Sequence, residues 1–407
     1  MANNNKVLID QPMWEQLVNT PAASAAAVAL VDDNERFIYT LISAVSFWRY
    51  DTWAGTWQQL ASPPGGTLAA GSCLRYVKQI GTQLLGEVYG SVFAFMAAGA
   101  SVTFYRYDIA TNTWSAALSV VNIPAAFGTD GRLICPEPML NAYQGGYHSA
   151  VALNTITTTG AAQGATALPC TALPLALPAG AVLNFGTAAA PLWAVLTAAA
   201  AASATSLTVA PLIATIGAAT AYFYADMFLF GNNATAVYRY NFAANAWATT
   251  SANAGNPAIP AVTAALGAGH VACWLPGSGD ANALDRIIIF RGTATSAFYE
   301  YSLTNNTFST IAVNPATETF TTGSCSGIRW TNSKAAKLLL QKDATGRILE
   351  FTRPNLRLTP KATQYLMASG AALVGDRMSV LSTTDGIEYC YLWPSTSSFF
   401  LRTGLFF

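Results

Sequence analysis

Phe104-Tyr105-Arg106-Tyr107-Asp108 runs through Thr111-Asn112-Thr113 into Trp114. The first arm is aromatic-rich with alternating faces, as a strand requires. Asp108 and Asn112 supply turn chemistry, because both side chains can bond nearby backbone. Trp114 then opens a returning strand and packs back on the sheet. The segment reads as a β-hairpin with one aromatic anchor on each arm.

The same hairpin recurs along the chain. Phe47-Trp48-Arg49-Tyr50-Asp51 leads to Trp57, Val237-Tyr238-Arg239-Tyr240-Asn241 to Trp247, and Phe298-Tyr299-Glu300-Tyr301-Ser302 to Phe308. Two degenerate copies are Leu349-Glu350-Phe351 with Leu358 and Tyr391-Leu392-Trp393 with Phe400. In all six copies the anchors, Tyr50/Trp57, Tyr107/Trp114, Tyr240/Trp247, Tyr301/Phe308, Phe351/Leu358 and Trp393/Phe400, stand seven residues apart. Upstream of each lies an apolar strand: 37–41, 92–96, 227–230, 287–290, 338–340 and 378–381. Further upstream, Gly71-Ser72-Cys73, Gly267-Ala268-Gly269, Gly323-Ser324-Cys325 and Gly370-Ala371-Ala372 mark a small-residue strand suited to a crowded axis. The unit is therefore four strands long. Successive first anchors lie 57, 133, 61, 50 and 42 residues apart; apart from 133, these suit propeller blades of roughly 40–50 residues plus loops.

The Tyr-Asp…Thr-Asn-Thr-Trp segment, clearest at Tyr107 to Trp114 and at Tyr50 to Trp57, resembles that of kelch-type β-propellers. The resemblance covers most of the chain outside one insertion. It implies an all-β fold, a six-bladed kelch-like propeller with seven blades left open, carrying a small β-rich inserted domain. The paired glycines that end the second kelch strand are reduced to one at Phe230-Gly231 and Arg291-Gly292. Trp14-Glu15-Gln16-Leu17 resembles Trp57-Gln58-Gln59-Leu60. Either that segment or the final Phe399-Phe400-Leu401 run is expected to supply the outer strand that closes the ring.

The gap of 133 holds one blade plus an insert. From Pro138 to Ala225, 88 residues, there is no Asp, Glu, Lys or Arg. The expected division is propeller over 1–164, uncharged module over 165–221, and propeller again over 222–407. Pro174, Pro178, Pro191 and Pro211 break the apolar run, and alanine contributes little transfer energy, so no membrane span is expected. Ala181 to Phe185 and Ser206 to Val209 alternate as short half-buried strands do, while Ala198 to Ala204 could form either a strand or a helical turn. Leu177-Pro178-Ala179-Gly180-Ala181-Val182-Leu183, followed by Ala204 to Leu212, resembles a module inserted in virion proteins of tailed bacteriophages. That resemblance implies a virion location, with other virion proteins and copies of the same chain as partners.

Composition points the same way. Of 407 residues 52% are hydrophobic, 12% aromatic and only 10% charged, and twenty Lys+Arg cancel twenty Asp+Glu. Disorder is excluded by the apolar content. Nucleic-acid binding is not expected without a surplus of cations. A surface this poor in charge suits burial against other subunits, in a homo-oligomer or a particle. The start, Met1-Ala2-Asn3-Asn4-Asn5-Lys6, lacks the apolar core of an export signal. The six cysteines are scattered, without metal or redox spacing, and read as thiols packed like small hydrophobes.

Catalytic constellations are not found. His148 and His270 are the two histidines, too few to recommend a metal site, and Tyr147-His148-Ser149 is adjacency rather than triad geometry. Ser382-Thr383-Thr384-Asp385-Gly386 reads as a plain loop. Glu137, Asp226, Glu300, Glu350 and Glu388 are the carboxylates a glycosidase could use, and the charges at Arg49, Arg106, Arg239, Glu300 and Glu350 read as rim or inter-blade ion pairs. No catalytic residue, metal or cofactor is expected. The leading expectation is a non-enzymatic structural protein of a tailed-phage virion, placed in neck, tail or baseplate or decorating the head. A glycan-binding virion protein that recognises the host surface is the alternative, and a carbohydrate-active propeller enzyme the second.

Overall fold

In a computed structural model of the chain the described residues are 15–21, 28–33, 36–42, 46–69, 71–84, 87–98, 101–125, 127, 131–135, 154–174, 176–177, 179–186, 192–223, 226–231, 234–242, 244–251, 258–275, 286–292, 298–302, 306–311, 319–320, 325–329, 337–342, 347–352, 357–363, 377–382, 388–393 and 400–404. They are strand, turn and loop, with no helix among them. Strands are numbered in chain order, beginning with β1 (Glu15–Gln16).

Among the described residues six four-stranded antiparallel sheets form. The first is β2 (Val28–Asp32), β3 (Phe37–Ile42), β4 (Ser46–Asp51) and β5 (Thr56–Gln59); the second is β6 (Cys73–Leu84), β7 (Glu87–Ala98), β8 (Ser101–Asp108) and β9 (Thr113–Trp114). The third begins with β10 (Arg132–Ile134) and resumes, after an interruption, with β17 (Asp226–Phe230), β18 (Tyr238–Asn241) and β19 (Ala246–Ala248). The fourth is β20 (Val271–Leu275), β21 (Arg286–Phe290), β22 (Phe298–Ser302) and β23 (Thr307–Ile311); the fifth is β24 (Cys325–Arg329), β25 (Lys337–Lys342), β26 (Arg347–Thr352) and β27 (Arg357–Thr363). The sixth takes β28 (Arg377–Ser382), β29 (Glu388–Trp393) and β30 (Leu401–Gly404) from one end of the chain and β1 from the other.

The first strands of these sheets neighbour one another in cyclic order: β2, β6, β10, β20, β24, β28 and again β2. Among the described residues, apolar clusters fill the seams between the first and second, second and third, third and fourth, fourth and fifth, and sixth and first sheets. The arrangement is propeller-like, and among the described residues the first four sheets bury both faces against their neighbours.

The anchors sit in those seams. Tyr50 packs on Phe400 at 5.0 Å between ring centroids, Tyr107 on Phe47 at 4.9 Å and Tyr240 on Phe104 at 5.0 Å. Tyr301 packs on Phe228 at 5.6 Å and Phe351 on Phe298 at 5.2 Å. In every case the partner belongs to the preceding sheet. Edge-on and tilted contacts of this kind add about 0.5–1.5 kcal/mol each beyond the area they bury. Cys73, Cys135, Cys273 and Cys390 are buried.

The sixth copy of the repeat is displaced by one strand. In the first five, the anchors pair across the third and fourth strands: Tyr50 with Trp57, Tyr107 with Trp114, Tyr240 with Trp247, Tyr301 with Phe308 and Phe351 with Leu358. Trp393 instead ends the second strand, Phe400 leads into the third, and 378–381 falls on the innermost strand rather than the second. The reason is that β1 occupies the outermost place of this sheet, with Glu15 opposite Arg402 and Gln16 opposite Leu401. Of the two candidates for closure, the N-terminal segment is therefore the one used, and Gln58 and Gln59 hold the same register opposite Arg49 and Trp48. Trp14 and Gly370-Ala371-Ala372 lie outside the described residues.

Between β10 and β17 runs a nested set of short strands: β11 (Asn154–Thr158) with β16 (Ala219–Phe223), β12 (Ala167–Pro169) with β15 (Ser206–Thr208), and β13 (Val182–Asn184) with β14 (Trp193–Val195). Their apolar side chains form a cluster of their own around Leu168, Leu183, Leu196, Leu207 and Ile216. Ser206 and Thr208 are exposed while Leu207 and Val209 are buried, the alternation of a half-buried strand. The helical alternative at 198–204 is not adopted. Ala200 bridges Leu177 instead, with a backbone hydrogen bond of 2.9 Å in each direction.

Candidate functional site on the hairpin rim

In a four-stranded meander, the hairpins joining strands one to two and three to four open at the same end. Three features of this chain share that end. They are the nested strands after β10, the long β6–β7 hairpin, and the Thr52–Gly55 turn between β4 and β5.

Among the described residues, the third-to-fourth hairpins of the second, third and fourth sheets are tied down by their own residues. Asn112, Asn245 and Asn306 stand five positions after the anchor tyrosines, with φ of 53°, 47° and 51°. Their Oδ1 atoms accept from the Tyr107, Tyr240 and Tyr301 hydroxyls at 2.7, 2.8 and 2.7 Å. In the first sheet Gly55, φ 66°, takes that place. The second anchor reaches back to the connection leaving the previous sheet. Trp57 Nε1 donates to Val18 O at 3.3 Å, Trp114 Nε1 to Ala61 O at 2.7 Å, and Trp247 Nε1 to Ser119 O at 2.8 Å. Burial pushes the Tyr50, Tyr107 and Tyr301 hydroxyls up to about 12 and raises that of Tyr240 as well. All four are neutral at physiological pH, and Tyr107, Tyr240 and Tyr301 donate to their asparagines. This tyrosine–asparagine pairing was missed in the sequence, although the fixed five-residue spacing was there to find it.

The repeated charges at Arg49, Arg106, Arg239, Glu300 and Glu350 lie mid-way along the third strand of their sheets. Where their partners are seen, these lie within the same sheet rather than between blades. The partner is the residue two before the cross-strand neighbour on the second strand. Arg239 pairs with Asp226, and Glu300 with Arg286 at 2.6 Å. Arg49 lies 4.2 Å from the centroid of the Phe37 ring. In the sixth sheet Arg402 lies 4.8 Å from that of Tyr389 and pairs outward with Glu15 at 2.8 Å. Arg106 has Ser91 at the diagonal place, and its Nη1 lies 3.7 Å from where a Cβ on Gly180 would stand. It therefore faces the nested strands.

Those strands dock on the long hairpin. Ile80 bridges Ala181, and Gly81 N donates to Gly180 O at 2.8 Å. The docked body exposes Thr157, Gln163, Thr171, Thr197, Ser203, Thr205 and Ile213 without a single charged side chain.

The Thr52–Gly55 turn presents Trp53, which is 54% exposed. Asp51 Oδ1 accepts from the Trp53 and Ala54 amides at 2.9 and 3.2 Å, and its carboxylate takes a two-point ion pair from Arg36. Burial alone would raise the Asp51 pKa, but these hydrogen bonds, led by that from Arg36, carry it below its usual value. The Arg36 guanidinium lies 4.4 Å from the Trp53 ring centroid.

Other residues singled out in the sequence are not brought together. His270 is buried, with Nδ1 3.2 Å from Gly267 O. Glu300 and Glu350 are buried in different sheets. His148, Glu137 and the 383–386 loop lie outside the described residues, as do the side chains of Glu388 and Leu358. Among the described residues no group of three or more His, Cys, Asp or Glu could hold a metal ion, and no helix is long and apolar enough to cross a membrane.

No family model and no curated protein matches the chain. Solved structures that it resembles include AofleA from Arthrobotrys oligospora, 10% identical, with 94% of this chain and 82% of that chain covered at a TM-score of 0.45. An α-L-arabinanase from Penicillium chrysogenum, solved with arabinobiose, is 9% identical, with 97% and 98% covered at a TM-score of 0.44. Aleuria aurantia lectin, solved with α-methyl-L-fucoside, is 9% identical, with 95% and 96% covered at a TM-score of 0.41. Likenesses at this level do not bear on what the chain binds or does.

Proposed function

We propose that the six sheets are the blades of one six-bladed kelch-like propeller with an inserted β-rich module, and that the protein is a non-enzymatic structural component of a tailed-phage virion. The observation that carries this reading is the module itself. It has its own apolar core, is docked on one rim, and offers an uncharged Thr/Ala/Ser surface. Burying such a surface against a neighbour avoids the desolvation penalty that charges impose. Rigid blades would hold it in fixed geometry, and repetition around a particle would multiply weak contacts by avidity. Its resemblance to modules in phage virion proteins supports the same placement. Quantitative mass spectrometry of purified particles from cells producing the protein tests it. The expected result is a fixed copy number per particle; absence from the particles would overturn the proposal.

A second reading, recognition of a host-surface glycan, is favoured by one observation, the exposed Trp53 on its pinned turn.

A further inference from the structure

Large hydrophobic side chains exposed among the described residues are Val18, Trp53, Val121 and Ile213, and only one of them is aromatic. Trp53 stands three residues after its anchor, where the other hairpins carry Ala110, Ala243, Thr304 and Pro354. Its turn is fixed before any ligand arrives. Asp51 caps two of its amides, Gly55 N donates to Asp51 O at 2.8 Å, and Thr52 Oγ1 donates to Arg36 O at 2.7 Å. Arg36 lies over the indole, and Trp53 keeps 54% of its surface exposed. Two guanidinium nitrogens are engaged by Asp51. A guanidinium has five N–H donors, so the remaining nitrogen, on a side chain 35% exposed, keeps donors beside the ring.

We propose that Trp53 and Arg36 form a carbohydrate-binding platform for a neutral pyranose; this rests on the glycan reading above. The C–H face of the sugar stacks on the indole, and a ring hydroxyl accepts from Arg36. A lone indole in polar surroundings is too small for the core of a protein–protein interface, which needs hundreds of Å² of contiguous contact. One sugar ring needs one aromatic and a few donors. The Arg36–Asp51 pair cancels its own charge, so the platform selects neutral over acidic glycans.

The test is a printed array of neutral and acidic glycans probed with the full chain, Trp53→Ala and Trp53→Phe, with thermal melts to confirm that both variants fold. Binding to neutral glycans is expected, weakened about tenfold or more by Trp53→Ala and less by Trp53→Phe. If the unmodified chain binds no glycan, the glycan reading and the platform both fall. If it binds and Trp53→Ala binds equally well, the platform alone falls and the reading stands. Binding confined to acidic glycans would overturn the proposed selectivity.

Discussion

Asn112, Asn245 and Asn306 each combine a left-handed backbone with a side-chain oxygen that a buried tyrosine reaches. Asparagine tolerates that conformation better than most residues with a Cβ, and unlike glycine it adds the acceptor. Asn306 also donates through Nδ2 to Ala258 O at 2.9 Å, linking its hairpin to the connection from the third sheet. Asn306→Ala should therefore cost about 1–3 kcal/mol, from two lost hydrogen bonds and a strained φ. Asn306→Gly should cost less, because it relieves the backbone as Gly55 does in the first sheet. Urea unfolding midpoints check both, and equal effects would refute the conformational part. The sequence displayed the turn residues and the recurrent charges plainly. It did not display their partners, since Arg239–Asp226 and Arg286–Glu300 are diagonal pairs that require the cross-strand register.

Among the elements, the β6–β7 hairpin shows how two glycines build a docking edge. The ladder shifts register between Val77 and Thr82. A Cβ on Gly81 would stand 1.6 Å from Tyr89 O, and one on Gly90 would stand 2.6 Å from the Tyr76 ring. Gly81→Ala should force the two arms apart, cost about 1–3 kcal/mol, and loosen the Gly81–Gly180 hydrogen bond. Amide hydrogen exchange at Gly81 should rise above that of the β7–β8 ladder; unchanged protection would show that the docking does not depend on this approach. The repeat was readable as four-strand units because its anchors pair directly across a hairpin. The slip at Trp393 and Phe400 has the same cause. Any tight hairpin of that length sets two large residues seven apart, so spacing does not reveal which pair of strands it joins.

For the whole molecule, the seams between sheets and the cluster inside the nested strands share no residue. Asn154 and Phe223 are cross-strand partners, so a short Gly-Ser turn can replace what lies between them. The shortened chain should keep a cooperative melt close to that of the full protein, while, on the proposed function, it is no longer incorporated into particles. Collapse of the melt would mean that the ring leans on the module. Charge depletion marks 138–225 in the sequence, and the nested strands, which run from Asn154 to Phe223, lie inside that stretch. Its seat on the second sheet was hidden, because a single bridge and one backbone hydrogen bond leave no compositional trace.

Closure of the sixth sheet by β1 has a consequence for synthesis. Glu15 and Arg402 are 387 positions apart, and joining such distant points in a loose chain costs about 5 kcal/mol in loop entropy. Sheets that stack one after another as the ribosome delivers them shrink that separation in steps. Glu15 and Gln16 must nevertheless wait, their hydrogen-bonding edge unmatched, until Leu401 and Arg402 have been made.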